Sequence, residues 1–354
     1  MDAGVVALTR QLCDIPSVSG DEETLAGAVE LTLSELPGWK VLRDGHAVVG
    51  RTTLGRDERV VLAGHLDTVP VADNLPVWAE GDEHTGRLHG RGTVDMKGGV
   101  AVMLRLAASL AEPAHDVTVV FYDCEEVEAT RNGLGRLVHR HPDWVDGDVA
   151  VLLEPTDGRL EGGCNGTIRV EVIVPGVAAH SARSWRGRNA IHDAAEVLDR
   201  LVAYQPQAID VDGLVYREGL NAVRVSGGIA GNVIPDRCVV TVNYRFAPDK
   251  DEAAALAHLQ DVFDGYELVV TDSSPGARPG LTHPAVQSLI RTADEPVGPK
   301  LGWTDVARFT ALGVPAINYG PGDPELAHHD EESVPVEQLR RCEATLLRWL
   351  QQAD

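Results

Sequence analysis

The sequence predicts an α/β protein with a covered mixed sheet, into which a smaller α+β unit is inserted. Two observations carry that prediction. Short apolar runs, "RVVLAGHLDTV", "VTVVFYDCEE" and "DVAVLLEP", alternate with helical patterns early in the chain, and the pattern resumes as "PAINYGPG" near its end. Such runs suit strands covered on both faces by helices. From about Gly166 the character changes: "TIRVEVIVPG" and "CVVTVNYRFAP" alternate with period two, as half-exposed strands do.

The elements follow in order. "DEETLAGAVELTLSEL" places Leu25, Val29, Leu33 and Leu36 on one helical face, with acidic residues in its first turn. "GGVAVMLRLAASLAE" is a further helix between two of the apolar runs. In the inserted unit, "NAIHDAAEVLDRLVAY" and "DEAAALAHLQDVF" read as amphipathic helices. The order is strand, helix, strand, strand, helix, strand, ending in "YELVVTD", and "SSPGARPG" forms a turn-rich joint. The expected division is residues 1–166 with 275–354 as one domain and 167–274 as the insert.

Composition narrows the function classes. With 354 residues, 44% hydrophobic and 24% charged, the chain reads as an ordinary soluble protein of one large or two smaller domains. Its apolar runs fall far short of the roughly 20 residues of a membrane helix. The start "MDAGVVALTRQLCDIPS" lacks the basic and apolar regions of a secretory signal, so the cytoplasm is the expected location. A net charge of -23 argues against nucleic acid as a partner. The cysteines, Cys13, Cys124, Cys164, Cys238 and Cys342, are scattered, odd in number and free of any CxxC pair. That excludes a disulfide framework and a cysteine-rich zinc site, and leaves buried or incidental thiols.

The informative residues stand at the ends of the apolar runs. "GHLDTVP" supplies His65 and Asp67, "GRGTVDMKGG" Asp95, "YDCEEVEA" Glu125 and Glu126, "LLEPTDG" Glu154, and "ELAHHDEESVP" His328 and His329. Ligands of open α/β sheets bind outside the carboxyl ends of the strands, so these side chains can converge. Each also has a plain structural reading: a solvated histidine, a turn, a charged strand end. Jointly the plain reading requires an unrelated accident at the end of every run. A site for two metals unifies them, because imidazole and carboxylate suit Zn²⁺ and a metal pair needs a bridging carboxylate. Asp67, two residues beyond His65, lies on the same face of an extended strand and is placed to accept the other ring N–H.

The ordered set "GHLDTVP", "GRGTVDMKGG", "DCEE", "EP" and "AHHDEES" resembles the dinuclear zinc aminoacylase, carboxypeptidase G and acetylornithine deacetylase metallopeptidase family. The resemblance spans essentially the whole chain. It implies a zinc-exopeptidase-like catalytic domain and a ferredoxin-like lid or dimerisation domain, hence a homodimer. It implies two zinc ions, with cobalt as an alternative. His65, Asp95 and Glu154 would hold one metal, and Asp95, Glu126 and His328 the other. His328 is preferred over His329 because the family's last ligand begins an H-x-x-x-E pattern, completed here by Glu332. Catalytic roles fall to Glu125 as general base, with Asp67 and His180. Asn232, Arg245, Arg308 and Thr304 are the expected substrate contacts. The implied reaction is amide hydrolysis of a small acyl amino acid, with a succinylated diamino-dicarboxylic acid as the leading substrate. Two stretches depart from the family pattern: "GGCNGT" lacks the arginines some members carry there, and "GPGDPEL" lacks an expected asparagine.

Adjacent residues of a strand face opposite ways. Glu125 and Glu126 can therefore serve one site only where the strand has broken. Extended pairing is expected to stop by about Cys124.

Overall fold

The computed structural model describes residues 4–82, 85–110 and 112–352. Two compact units result: Met1–Gly163 with Pro279–Pro299 and Thr304–Asp354, and Cys164–Arg278 with Lys300–Trp303.

The first unit is built on an eight-stranded mixed sheet. Its order is Lys40–Asp44, Ala47–Arg51, Asp116–Tyr122, Arg59–His65, Val149–Leu152, Ala316–Asn318, Leu160–Gly162 and Val297–Pro299. The central strands Asp116–Tyr122, Arg59–His65, Val149–Leu152 and Ala316–Asn318 run parallel to one another, and antiparallel partners flank them on both sides. Every residue of Asp116–Tyr122 is buried, which is why that run shows no polar alternation. Val60, Leu62, Val117, Val119, Phe121, Val149 and Val151 enter one core with the helices Val5–Cys13, Glu23–Ser34, Lys97–Ser109, Pro284–Ala293 and Val336–Gln351. Val61, Ala63, Val120 and Leu152, equally buried, point to the opposite face. The helices Gly133–Arg140 and Val306–Ala311 also pack on this sheet, the first against Ala47–Arg51, the second against Val149–Leu152 and Ala316–Asn318.

The predicted helical face is seen in Leu25, Val29 and Leu33, all fully buried; Leu36 lies beyond the helix end and is only partly buried. Register sets up the site. His65 pairs with Tyr122, Ala63 with Leu152, and Leu152 with Asn318. The carboxyl ends of these parallel strands therefore share one edge. Pairing of Asp116–Tyr122 ends at Tyr122, two residues before Cys124. A small antiparallel sheet of Trp78–Glu80, Arg87–His89 and Ser333–Pro335 carries the chain away from His328.

The second unit has a four-stranded antiparallel sheet in the order Gly219–Gly227, Arg237–Phe246, Gly166–Pro175, Glu267–Ser274. With the helices Ala190–Ala203 and Glu252–Val262 this is the split βαβ arrangement of ferredoxin-like domains. Ile168, Val170, Val172, Val240, Val242, Ala194, Val197 and Leu259 form its core. Lys300–Trp303 returns to this unit: Asn165 donates its backbone N–H to Lys300 O (3.2 Å) and Trp303 Nε1 donates to Pro275 O (3.0 Å).

Candidate metal centre

At the shared strand edge of the first unit, His65 ends its strand with its side chain almost wholly enclosed, 1% exposed. Its Nε2 lies 3.0 Å from Asp95 Oδ1. The other Asp95 oxygen, Oδ2, is 3.3 Å from His328 Nε2, and that nitrogen is 2.9 Å from Glu126 Oε1. Asp95 thus presents one oxygen to each imidazole. Three donor groups result, each with its ligand atoms within 4.8 Å of one another: His65, Asp95 and Glu154; His65, Glu125 and Glu126; and Asp95, Glu126 and His328. His329 does not face the cluster in this way; its carbonyl accepts from Arg91 Nη1 at 3.1 Å. His328 sits at φ +66°, a left-handed conformation that aims its ring out of the regular chain path.

The Asp67 carboxylate has a second task beside the one expected. His65 Nδ1 faces the Asp67 backbone carbonyl at 2.9 Å, and the nearer carboxylate oxygen is 3.5 Å away. The carboxylate also accepts the backbone N–H groups of Glu125 (2.9 Å) and Glu126 (3.0 Å). The chain breaks from extended form just before, at Cys124 with φ +56°. That break lets both glutamates join one cluster. Glu332, four residues after His328, is buried at 1%; its Oε1 accepts from Val94 N (2.9 Å) and Asp95 N (3.1 Å). Its other oxygen pairs with Arg91 at 2.9 Å. The H-x-x-x-E spacing was the only sequence signal for this residue.

The electrostatics test whether cations suit the cluster. Burial opposes charge on His65, yet the carboxylates of Asp67 and Asp95 outweigh it and hold the imidazole well above its ordinary value. Asp95 and Glu126 push His328 up to about 10. Burial, with Glu154, Asp305 and Glu126 as like-charged neighbours, drives Glu125 well above the carboxylate range despite the opposing pull of His65. Carboxylates crowded around two imidazoles favour positive charge at this place. Divalent cations bound by imidazole and carboxylate would supply that charge, so the donor set fits a metal pair.

Thr304 and Arg308 belong to the same unit and are locally engaged. Thr304 Oγ1 donates to Asn318 Oδ1 at 3.0 Å, and Arg308 Nε donates to buried Asp305 at 2.5 Å. Asn132 Nδ2 donates to the other Asp305 oxygen at 3.0 Å. His180, Asn232 and Arg245 lie in the second unit. His180 is exposed and its Nδ1 accepts from Ala182 N at 3.1 Å. Asn232 is exposed, and its carbonyl accepts from Ser181 N at 2.9 Å. Arg245 is next to last in the strand Arg237–Phe246, opposite Gly219 and Thr167.

Among the described residues, no helix is long and apolar enough to cross a membrane. The model of peptidase family M20/M25/M40 matches residues 61–352. A putative succinyl-diaminopimelate desuccinylase of Mycobacterium tuberculosis is 56% identical over 348 residues, 98% of this chain and 97% of that one. The succinyl-diaminopimelate desuccinylase of Corynebacterium glutamicum is 46% identical over 356 residues, 98% of this chain and 95% of the other. Among solved structures, a Staphylococcus aureus tripeptidase superposes with a TM-score of 0.81 at 19% identity, covering 98% of this chain and 97% of its own.

Proposed function

The chain belongs to peptidase family M20/M25/M40 and is a hydrolase, and from that premise we propose that it removes succinate from N-succinyl-LL-2,6-diaminopimelate. The observation that carries the reading is near-full-length identity to two relatives of that name, 56% and 46%, combined with a complete donor set at the strand edge.

In this reading His65, Asp95 and Glu154 hold one metal and Asp95, Glu126 and His328 the second, zinc in both with cobalt as an alternative. The bound pair would supply Lewis acidity, bringing the pKa of water toward about 7 and polarising the scissile carbonyl. Glu125 is the general base. It takes a proton from the attacking water as the water's oxygen bonds to the succinyl carbonyl carbon. It then delivers that proton to the departing amine nitrogen as the C–N bond breaks. Succinate and LL-2,6-diaminopimelate leave, and one water is consumed. Asp67 serves by holding the backbone of Glu125 and Glu126 where both carboxylates reach the cluster. His180 is assigned to polarise the carbonyl and Asn232 to contact the substrate. Arg245, Arg308 and Thr304 are assigned to the substrate's carboxylates, guanidinium groups being suited to bidentate pairing. We also assign a homodimer formed through the inserted unit, and the cytoplasm as the site of action.

The test is a panel of N-succinyl, N-acetyl and dipeptide substrates with added Zn²⁺, assayed on the parent protein, Glu125→Gln and His180→Ala. The succinylated diamino-dicarboxylic acid should be hydrolysed best. Glu125→Gln should retain both metals and lose turnover by about 10²–10⁴-fold, the usual contribution of a positioned acid–base group. Preference for an N-acetyl or dipeptide substrate would reassign the activity within the family. Full turnover by Glu125→Gln would remove it as the base.

A further inference from the structure

The turn that aims Glu125 and Glu126 presents successive backbone N–H groups to carboxylates from elsewhere in the first unit. Glu125 N and Glu126 N donate to Asp67, and Cys124 N donates to Glu22 Oε1 at 3.3 Å. Consecutive N–H groups beside a left-handed residue form a concavity that attracts anions. Here protein carboxylates fill it.

Glu22 is wholly buried, at 0% exposure, yet belongs to a short polar stretch, "SVSGDEE", that the functional reading does not use. Its Oε1 also accepts from Gly20 N at 2.7 Å, and its Oε2 lies 2.9 Å from His46 Nδ1. The same stretch holds Asp67 from a second side, because Ser19 Oγ donates to Asp67 Oδ2 at 2.7 Å. Backbone bonds lock it to the segment after His65: Thr68 N donates to Ser17 O (2.9 Å) and Ser19 N to Thr68 O (3.2 Å). Gly20, at φ +102°, makes the bend that turns Ser19 and Glu22 toward the same target.

We propose that Glu22 and Ser19 are positioning residues: together with Asp67 they fix the backbone of Cys124–Glu126, and so the aim of Glu125 and Glu126. The inference rests on the role proposed above for Glu125. Neither residue touches the reacting atoms. A misplacement of about 1 Å in a catalytic group costs on the order of 10²-fold in rate, so loosening this turn should appear in kcat more than in KM.

The experiment uses the zinc-loaded full chain and the variants Glu22→Gln, Glu22→Met and Ser19→Ala. The Gln amide oxygen can still accept from Gly20 and Cys124, so Glu22→Gln should keep kcat within about threefold. Glu22→Met cannot accept. It should lose at least tenfold in kcat with KM within twofold when assayed in excess Zn²⁺. Its amides at 124–126 should exchange hydrogen at least tenfold faster. Ser19→Ala, which removes only a hydroxyl, should show the same pattern more weakly and keeps the inference testable if Glu22→Met does not fold. Unchanged exchange at 124–126 and unchanged kcat in Ser19→Ala and Glu22→Met would overturn it. So would a Glu22→Gln variant as impaired as Glu22→Met. Glu125→Gln is assayed alongside: if it stays active the base assignment fails, whereas the exchange data still judge Glu22 and Ser19 separately.

Discussion

Asp116 starts a fully buried strand, and its carboxylate is enclosed by donors. It accepts from Thr52 Oγ1 (2.9 Å), Leu54 N (2.8 Å), Gly55 N (3.1 Å) and Arg56 N (3.0 Å). Burial disfavours its charge, but the Leu54 N–H, the Thr52 hydroxyl and the Arg56 N–H outweigh it and hold the carboxyl below the usual range. A carboxylate depressed in the folded state contributes stability above its unfolded value of about 3.9 and loses it as pH falls through the folded value. Asp116→Asn should therefore lower stability near pH 7 by about 1–3 kcal/mol. The gap from the parent should narrow below about pH 4. Thermal midpoints across pH 3.5–7 check this, and a constant gap would refute the assignment. Some residue-scale facts were legible in the sequence and others were not. His65, Asp95, Glu154 and His328 are metal-ligand types in short charged motifs that the family resemblance singles out, and the structure gathers them into shared donor groups. Glu22 and Ser19 sit among ordinary turn residues, and nothing in their spacing shows which backbone amides they meet.

The helix Lys97–Ser109 carries Gly98 and Gly99 in its opening turn, which packs very closely. A Cβ on Gly99 would fall 2.3 Å from Leu153 O, and one on Gly98 would fall 2.5 Å from Thr93 O. Leu153 directly precedes Glu154, so the helix start presses on the segment that carries a candidate ligand. Gly99→Ala should cost about 1–3 kcal/mol through overpacking. It should also weaken metal binding at the site proposed for His65, Asp95 and Glu154, because the chain that presents Glu154 must shift. Thermal melts and metal titration of the same variant check both parts; an unchanged metal affinity would show that the helix gives way instead. At this scale the helices and buried strands were readable from periodicity. The bonding of Asp67 to backbone amides was not, because pattern places a side chain on a face without choosing between the partners on that face.

The whole molecule carries a net charge of -23, with several of its carboxylates gathered at the candidate metal centre of the first unit. Ligands that bind only the folded form stabilise it by mass action, about 2.7 kcal/mol at 100 times Kd. Chelation should therefore lower the melting transition of the first unit and leave that of the second in place. Scanning calorimetry with and without chelator reads both transitions, and an equal shift in each would contradict a metal effect confined to one unit. The sequence changes period from about Gly166. Lys300–Trp303 groups with the second unit without any such signal, because so short a segment has no period; among the bonds that tie it there are those from Asn165 and Trp303.

The cysteines have a consequence for how the protein can be studied. All are free and buried. Burial foremost pushes the thiols of Cys13, Cys124 and Cys342 up to about 12. Enclosed and protonated, they are poor nucleophiles in the native state, so an alkylating reagent reacts chiefly during transient openings. Cys13, Cys124 and Cys342 belong to the first unit, Cys164 and Cys238 to the second. The label accumulated at each cysteine then records, peptide by peptide, how often that region opens, and the chain serves as its own clock of local unfolding.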